Sequence, residues 1–236
     1  MLPRTGDPLV SCIVPVFNGE RFLAQTLASI RAQTYESLEI VVVDDGSTDG
    51  TPAVVAAQGG PVAYLRQNNR GQAAARNAGV RAARGEFVAF LDADDLWEPA
   101  KLARQMARLR QAPPIDLCLT RFQNFWMPEL ADEARRYRDD PVARPSAAWC
   151  IGTLLAPRRV LDRFGPFDER LRLGPNITWF LRAAGRGARI EVVPDVLMRR
   201  RLHADNTTRQ DLRSGPDEVF PILRAWRDYR RQTRNR

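Results

Sequence analysis

The sequence has few of the residues from which disulfide-stabilised, zinc-binding or membrane-spanning proteins are built. It contains three cysteines in 236 residues, and Cys12, Cys118 and Cys150 lie far apart without a CxxC spacing. This pattern argues against a disulfide framework or a zinc site and indicates reduced, partly buried thiols. No apolar run reaches the ~18 residues of a membrane span, and no signal peptide precedes Leu9. We therefore expect a cytoplasmic protein.

Two frequent nucleotide-binding motifs are also missing. The segment that follows the first apolar run reads PVFNGE, whereas a dinucleotide-binding fold would carry GxGxxG there. No GxxxxGK[ST] segment exists either, which argues against a P-loop nucleotidase. With 44% apolar residues, the chain can still bury a sizeable core as one large domain or as a compact core with small additions.

The positive charge is almost entirely arginine and is concentrated near the carboxyl end. Lys101 is the single lysine, and residues 199–236 carry +6 of the net charge of +8. We expect a basic C-terminal helix or tail over 211–236, with an amphipathic helix within 217–229. It could contact the inner face of a membrane peripherally, pack on the domain or a second subunit, or stay solvated. No recognition module accompanies these arginines, which argues against a nucleic-acid partner.

Short apolar runs alternate with helical patterns in the first half of the chain. They predict strands over 9–16, 38–43, 62–65 and 86–91, and helices over 20–33 and 71–83. This alternation is typical of an α/β fold, a Rossmann-like and mostly parallel sheet flanked by helices. The second half is less regular. It predicts a strand within 116–127, a surface loop over 128–145, a strand over 147–155, and two strands within 190–203 separated by a Pro194–Asp195 turn.

Acidic clusters follow two of the predicted strands, where parallel sheets bind ligands. DDGSTD follows the strand over 38–43, and DADD follows the strand over 86–91. In an extended segment Asp92 and Asp94 project to one side, and hard carboxylate oxygens suit Mg²⁺ or Mn²⁺ bridged to phosphates. The alternative is a charged turn, or a helix N-cap at Asp95. For Asp44 and Asp45 the alternative is likewise turn and cap chemistry.

Two long segments resemble the family-2 glycosyltransferases of the GT-A fold. They read SCIVPVFNGERFLAQTLASIRAQTYESLEIVVVDDGSTDGT and NNRGQAAARNAGVRAARGEFVAFLDADDLWEPAKL, and the resemblance resumes between Gly152 and Thr208. It implies a GT-A domain over 1–210, with a nucleotide-sugar-binding half (9–102), an acceptor-binding half (103–210) and a smaller mixed acceptor-side region. It further implies inverting transfer from a UDP- or GDP-linked sugar, assisted by Mn²⁺ or Mg²⁺, to an acceptor saccharide, a lipid phosphate or another small molecule.

The same resemblance suggests roles for individual residues. Metal contact would fall to Asp94 first, then to Asp92, with His203 as a third ligand. Arg76 would lie near the phosphates, although it could also be an ordinary solvated helix arginine, and a lone histidine could be structural. Contact with the nucleotide or substrate would be shared by Pro15, Val16, Phe17, Asn18, Asp44, Asp45, Arg76, Asp92, Ala93 and Asp94.

One departure from the family pattern concerns the catalytic base. Relatives carry a GED-type motif whose carboxylate deprotonates the acceptor hydroxyl, but here the segment reads GPNITW and Asn176 stands at the base position. An amide cannot accept that proton, so base catalysis worth roughly 10²–10⁴-fold would be lost. The acceptor could already be anionic, or Asp168, Glu169 or His203 could act as the base. Otherwise the protein is catalytically impaired or non-catalytic, and binds a sugar nucleotide or a protein partner.

Overall fold

A computed structural model describes residues 6–172 and 174–206. Within these ranges the chain forms one eight-stranded sheet and seven α-helices; the predicted basic helix or tail over 211–236 lies outside them. The strands are β1 (Val10–Val16), β2 (Leu38–Asp44), β3 (Ala63–Arg66), β4 (Phe87–Phe90), β5 (Leu96–Trp97), β6 (Leu117–Trp126), β7 (Leu155–Pro157) and β8 (Ile190–Leu202). The helices are α1 (Leu23–Arg31), α2 (Thr51–Ala56), α3 (Gln72–Ala82), α4 (Lys101–Leu109), α5 (Ala131–Arg136), α6 (Arg158–Phe164) and α7 (Pro175–Gly185).

The sheet is parallel in its first half and mixed in its second. Its strand order is β3-β2-β1-β4-β7-β6-β8-β5. β3, β2, β1 and β4 run parallel to one another, β7 is antiparallel to both of its neighbours, and β8 is parallel to β6. Because β7 is antiparallel to both β4 and β6, those two strands run in the same direction. The carboxyl ends of β1, β2, β4, β6 and β8 therefore lie at the same edge of the sheet. The predicted α/β sheet is confirmed.

Helices cover both faces of the sheet, and the alternation of side chains along β1 shows how. Ile13 packs in the cluster that contains residues of α3, α6 and α7, whereas Cys12 and Val14 pack with residues of α1 on the other face. Both faces are therefore buried, which explains why the strand is continuously apolar. At Gly79 of α3 a Cβ would lie 2.4 Å from the Ile13 side chain, so glycine allows this helix to approach the sheet closely.

The strand predicted over 147–155 is wrong except at its last residue. A 3₁₀ turn occupies Ile151–Thr153, and β7 begins only at Leu155. Thr153 N donates to the Cys150 carbonyl, and the Gly152 carbonyl accepts from Trp97 Nε1 at 2.8 Å. These bonds occupy backbone groups that a continuous strand would have used in its ladder.

The predicted turn at Pro194–Asp195 is also wrong, since β8 runs through it without a break. Thr120 pairs with Val193 and Arg121 with Val196, so two residues of β8 are absorbed in a bulge. Proline has no N–H to give to a ladder, and a bulge is one of the places in a sheet where it fits.

In the described ranges, no helix has the length and apolar character needed to cross a membrane.

Candidate active site

Asn18, the second residue after β1, joins the first two strand ends. Asn18 has a φ of +51°, a left-handed conformation that asparagine tolerates better than most residues. Its N–H donates to Ser47 Oγ at 2.9 Å, and its Oδ1 accepts from Thr48 N at 2.8 Å. Of the predicted nucleotide residues before it, Pro15 and Val16 are buried, while Phe17 has 51% of its surface exposed beside this junction.

Asp44, the last residue of β2, is a buried carboxylate with neutral donors. Its Oδ1 accepts from Ser47 N at 2.7 Å, and its Oδ2 accepts from the Tyr64 hydroxyl at 2.5 Å. Burial alone would raise the pKa of Asp44, but these hydrogen bonds, together with the charge of Arg66 4.0 Å away, outweigh it and lower the pKa below its ordinary value. Burial, helped by the same contact with Asp44, raises the pKa of Tyr64 to about 12. Asp44 therefore stays ionised and orders the loop after β2.

Asp45 holds the segment that leads into α3. Its Oδ1 accepts from Gln67 Nε2 at 2.7 Å and from Arg70 N at 3.0 Å, and its Oδ2 accepts from Gly71 N at 2.7 Å. Gly71 has a φ of +89°, which suits glycine. The turn and cap chemistry considered for this acid pair is thus present in the structure, and it leaves Asp45 only 3% exposed.

The DADD segment is a tight turn, not the extended stretch that we expected. Asp95 N donates to the Asp92 carbonyl at 3.1 Å, and β5 follows directly, so the N-cap alternative for Asp95 is wrong too. As a result, Asp92 and Asp94 do not act as a same-side pair but contact different partners. Asp95 is buried and accepts from Arg201 N at 2.8 Å. Burial raises its pKa well above the ordinary value, helped by the charges of Asp94 and Asp92.

Arg76 connects Asp92 with Asn176. Its side chain is completely buried, so the alternative of a solvated helix arginine is wrong. Nη2 lies 2.5 Å from Asp92 Oδ1, and Nη1 donates to Asn176 Oδ1 at 2.7 Å. The predicted base position therefore lies beside the first carboxylate of the DADD turn. Arg76 Nε is buried and has no hydrogen-bond partner among the described residues.

Asp94 meets His203 and Asn206 at the end of β8. Asp94 Oδ2 lies 3.1 Å from His203 Nε2 and accepts from Asn206 Nδ2 at 3.0 Å. His203 Nδ1 faces the Asp205 N–H at 3.3 Å, which assigns the ring proton to Nε2 as a donor to Asp94. Asn206 also accepts from His203 N at 2.7 Å. The sequence analysis missed Asn206. The HADN segment could have indicated it, because an Asn or Asp side chain readily accepts a hydrogen bond from a backbone N–H three residues away.

Arg201 supports the DADD turn from β8, and sequence reasoning did not find this role either. Its Nε donates to the Asp94 carbonyl at 2.7 Å, and its guanidinium stacks on Phe22 and Phe125 at 4.4 and 5.0 Å from the ring centroids. Nη2 donates to Gln25 at 2.8 Å. The side chain is 3% exposed, so it positions the turn and is not free to bind substrate.

The two acidic residues considered as substitute bases already hold cationic or amide partners. Asp168 contacts Arg170 through both carboxylate oxygens, at 2.9 and 2.8 Å, and this arginine lowers the pKa of Asp168 to about 2. Glu169 accepts from Asn77 Nδ2 at 2.9 Å and from Arg70 Nη2 at 2.8 Å. A carboxylate with a pKa near 2 is a weak base, so the geometry disfavours Asp168 in that role.

The possibility of a metal site depends on Asp94. Within the described ranges, no three His, Cys, Asp or Glu side chains converge closely enough to hold an ion by themselves. The Asp94 carboxylate is 30% exposed and offers a hard oxygen at the rim of the site. Asp92 pairs with Arg76 through Oδ1, and the hydrogen bonds of His203 assign the ring proton to Nε2. Asp94 therefore fits a cation whose remaining ligands come from substrate and water.

Solved structures share this fold. S. aureus TarS 1–349 in complex with UDP-GlcNAc superimposes with a TM-score of 0.74, at 20% identity over 93% of this chain and 66% of that chain. The mannosyltransferase PcManGT from Pyrobaculum calidifontis, in complex with GDP-Man and Mn²⁺, gives a TM-score of 0.63 at 28% identity, over 94% of this chain and 69% of that chain. The mixed sheet flanked by helices is the GT-A fold.

Sequence comparisons point to the same family. An uncharacterized glycosyltransferase of Rickettsia prowazekii is 30% identical over 86% of this chain and 66% of its own length. One from Nostoc sp. is 46% identical over 67% of this chain and 54% of its own length. This chain thus spans no more than about two-thirds of these two relatives. The family model described as glycosyl transferase family 2 matches residues 11–192, and the chain belongs to that family.

Proposed function

We propose that the protein transfers a sugar from a UDP- or GDP-linked donor to an acceptor, with inversion at the anomeric carbon. The acceptor oxygen attacks from the face opposite the nucleoside diphosphate, which leaves as the new bond forms. The observation that best supports this proposal is that Asp44, Asp45, Asp92 and Asp94 converge at one edge of the sheet in a family-2 chain. TarS was solved with UDP-GlcNAc and PcManGT with GDP-Man, which supports a sugar nucleotide as donor.

The strand ends of β1 and β2 would receive the nucleoside. Phe17 presents an exposed ring against which a base can pack, and Asn18 fixes the loop beside it. Asp44 and Asp45 already accept hydrogen bonds from the protein, so their main contribution is to shape the two loops that flank the nucleoside. The domain we assign to this function extends over 1–210, and membrane contact through 211–236 stays a prediction.

A divalent cation would be held by Asp94, with His203 and Asn206 orienting its carboxylate. When bound, Mn²⁺ or Mg²⁺ supplies positive charge that stabilises the departing diphosphate. The Mn²⁺ in the PcManGT complex supports this cofactor class. His203 could join as a ligand only with its Nε2 proton moved to Nδ1, because a metal needs the lone pair. Arg76 holds Asp92 in place beside this site.

A second candidate is a catalytically impaired or non-catalytic relative that binds a sugar nucleotide or a protein partner. The observation that favours it is Asn176, whose oxygen is occupied by Arg76 and which cannot take a proton. This candidate shares the donor site with the first, so donor binding alone does not separate them. Turnover of the donor does.

The test begins with calorimetric binding of UDP and GDP, with and without Mn²⁺, to the wild type, Asp94→Ala and Asp162→Ala. Asp162 is an exposed carboxylate of α6, a helix that begins beside the start of β4, at the edge of the sheet away from the site, which makes it a matched control. We expect Mn²⁺-dependent binding that is lost only in Asp94→Ala. Binding that ignores Mn²⁺ and Asp94 contradicts the metal site, and no binding of either nucleotide overturns the donor proposal.

A further inference from the structure

Arg70 lies between the two places that the proposed function assigns to the donor. Its backbone N–H donates to Asp45 Oδ1 at 3.0 Å, at the end of β2 where the nucleoside would lie. Two residues further on, Gln72 Nε2 donates to Asp92 Oδ1 at 3.3 Å, in the DADD turn where the diphosphate would lie. Residues 70–72 therefore connect the nucleoside end of the site with its diphosphate end.

The surface around Arg70 is open to a ligand. At Gly71, a Cβ would meet no atom within 4 Å other than those of its neighbours in the chain. The residues that precede Arg70 take part in a polar cleft of about 580 Å³, which is lined by Gly46, Arg66, Gln67, Asn68 and Asn69. The Arg70 side chain itself is 61% exposed. Its guanidinium can therefore meet a ligand without displacing buried parts of the protein.

A single acidic side chain holds this guanidinium. Arg70 Nη2 donates to Glu169 Oε2 at 2.8 Å, and among the described residues Glu169 is the one hydrogen-bond partner of the guanidinium. Glu169 has a second anchor, because its Oε1 accepts from the buried Asn77 Nδ2 at 2.9 Å. Asn77 in turn bonds both the carbonyl and the N–H of Phe167 at 2.9 Å. The ion pair can therefore open by movement of Arg70 alone, while Glu169 stays in place.

The departing nucleoside diphosphate needs a cation besides the metal. It carries more negative charge than one divalent ion neutralises, and Asp94 adds a further carboxylate beside it. Arg76 is not available for this purpose, because it is completely buried and its terminal nitrogens are bonded to Asp92 and Asn176. Arg70 is available, since an exposed ion pair contributes little free energy and an arginine fork can bind phosphate oxygens in a bidentate way.

We infer that Arg70 binds the diphosphate of the donor and leaves Glu169 to do so. This inference rests on the proposed function. In the free protein the Glu169 carboxylate occupies the guanidinium, and in the donor complex the phosphate oxygens take its place. Glu169 therefore competes with the donor for Arg70, and opening of this ion pair is part of the cost of donor binding.

The test is a double-mutant cycle on the affinity for UDP and GDP, measured by calorimetry with Mn²⁺. Arg70→Gln removes the charge that meets the phosphates, so the affinity should fall about tenfold or more. Glu169→Gln releases Arg70 but keeps an oxygen for Asn77, so the affinity should rise about threefold. When both changes are combined, Glu169→Gln should add no gain, because no guanidinium is left to release.

Two controls separate a phosphate contact from other effects of the substitution. Arg84→Gln makes the same change of charge at an exposed arginine that pairs with Glu39 at 2.7 Å, near the amino end of β2 and away from the site. It should leave nucleotide affinity unchanged. Uridine and guanosine lack phosphates, so their affinities, measured by competition, should be the same in Arg70→Gln and the wild type.

Wild-type binding separates a failure of this inference from a failure of the proposed function. If neither UDP nor GDP binds, the donor site is overturned and the inference with it. If one binds, the inference alone is overturned by an unchanged affinity in Arg70→Gln, by an equal loss for the nucleoside or in Arg84→Gln, or by a Glu169→Gln variant that binds no more tightly. A gain from Glu169→Gln that persists without Arg70 also overturns it, whereas a gain that requires Arg70 supports it.

Discussion

Arg76 Nη1 donates to Asn176 Oδ1 across 2.7 Å, although the two residues are 100 positions apart in the chain. The other terminal nitrogen of the same guanidinium holds Asp92. One planar group therefore fixes the distance between the DADD turn and the first turn of α7. A shift of either element has to break a charge-assisted bond, which keeps the two halves of the site in a constant relation.

Replacing Arg76 should loosen the fold and the site together. Arg76→Met keeps similar bulk but leaves Asp92 without its buried partner, a change that costs about 3 kcal/mol in unfolding free energy. The value lies at the low end for buried pairs because the Asp92 side chain is 27% exposed and regains some water. Urea unfolding measures this loss, and calorimetry should show weaker nucleotide binding.

Arg81→Met is the matched control for Arg76→Met, since Arg81 is exposed on the same helix. It should change the unfolding free energy by less than about 0.5 kcal/mol. Equal stability of the two variants would contradict a structural role for the Arg76–Asp92 pair. Arg76→Lys tests geometry, because one ammonium cannot replace a fork that holds two partners.

Much of the first half of the fold could be predicted from the sequence. The runs that became β1, β2 and β4 are apolar and short, and the last two end on aspartates, so local pattern and burial agree. In the second half of the chain, the predictions were wrong where contacts between residues far apart in the sequence decide the structure. Trp97 Nε1 reaches the Gly152 carbonyl and helps to keep that segment as a 3₁₀ turn, and no pattern within 147–155 reveals this partner.

The sequence predicted which residue types form the site and where they lie along the chain, but not which side chains contact one another. The acids at the strand ends were visible in the sequence. The burial of Arg76 was not, because α3 is rich in alanine and its apolar face does not mark one side clearly. Asn206 was missed because its function is to support Asp94, which is 112 positions away.

Asn206→Ala should weaken metal-dependent nucleotide binding. The change removes the Nδ2 donor to Asp94 Oδ2 and leaves the buried His203 N–H without its acceptor. Loss of a group that orients a metal ligand typically lowers affinity about tenfold or more. Calorimetry of UDP or GDP in the presence of Mn²⁺ measures it. Asn124→Ala, which only frees the Val142 carbonyl, is the control, and an unchanged affinity in Asn206→Ala would contradict this role.

Asp168→Asn should leave the rate of sugar transfer nearly unchanged. With Arg170 holding both oxygens, the pKa of Asp168 is about 2, and its ionised form gains little by taking a proton at neutral pH. The pH profile of transfer should therefore be the same in the variant and the wild type between pH 5 and pH 8. A loss of roughly 10²-fold or more would identify Asp168 as the base after all.

Lys101, the single lysine, gives a prediction about pH and stability. Its side chain is completely buried, with Nζ 2.8 Å from Gln105 Oε1 and 4.1 Å from the centroid of the Trp97 ring. Burial lowers the pKa of Lys101 from 10.5 to about 7, against a smaller opposite effect of the nearby thiols. The unfolded chain keeps the proton up to about pH 10, so the folded state binds fewer protons above pH 7.

Lys101→Met should therefore be more stabilising at pH 6 than at pH 9. The cost of burying the ammonium is fully present below pH 7 and declines above it, at up to about 1 kcal/mol per pH unit.

Burial also raises the pKa values of Cys12, Cys118 and Cys150 to about 12, 11 and 12. The thiol contribution is largely shared by both proteins, so it mostly cancels in the difference between their unfolding free energies. Urea unfolding at each pH measures that difference, with the exposed Arg104→Met as control. A difference that stays constant from pH 6 to pH 9 would show that Lys101 does not change its charge in this range.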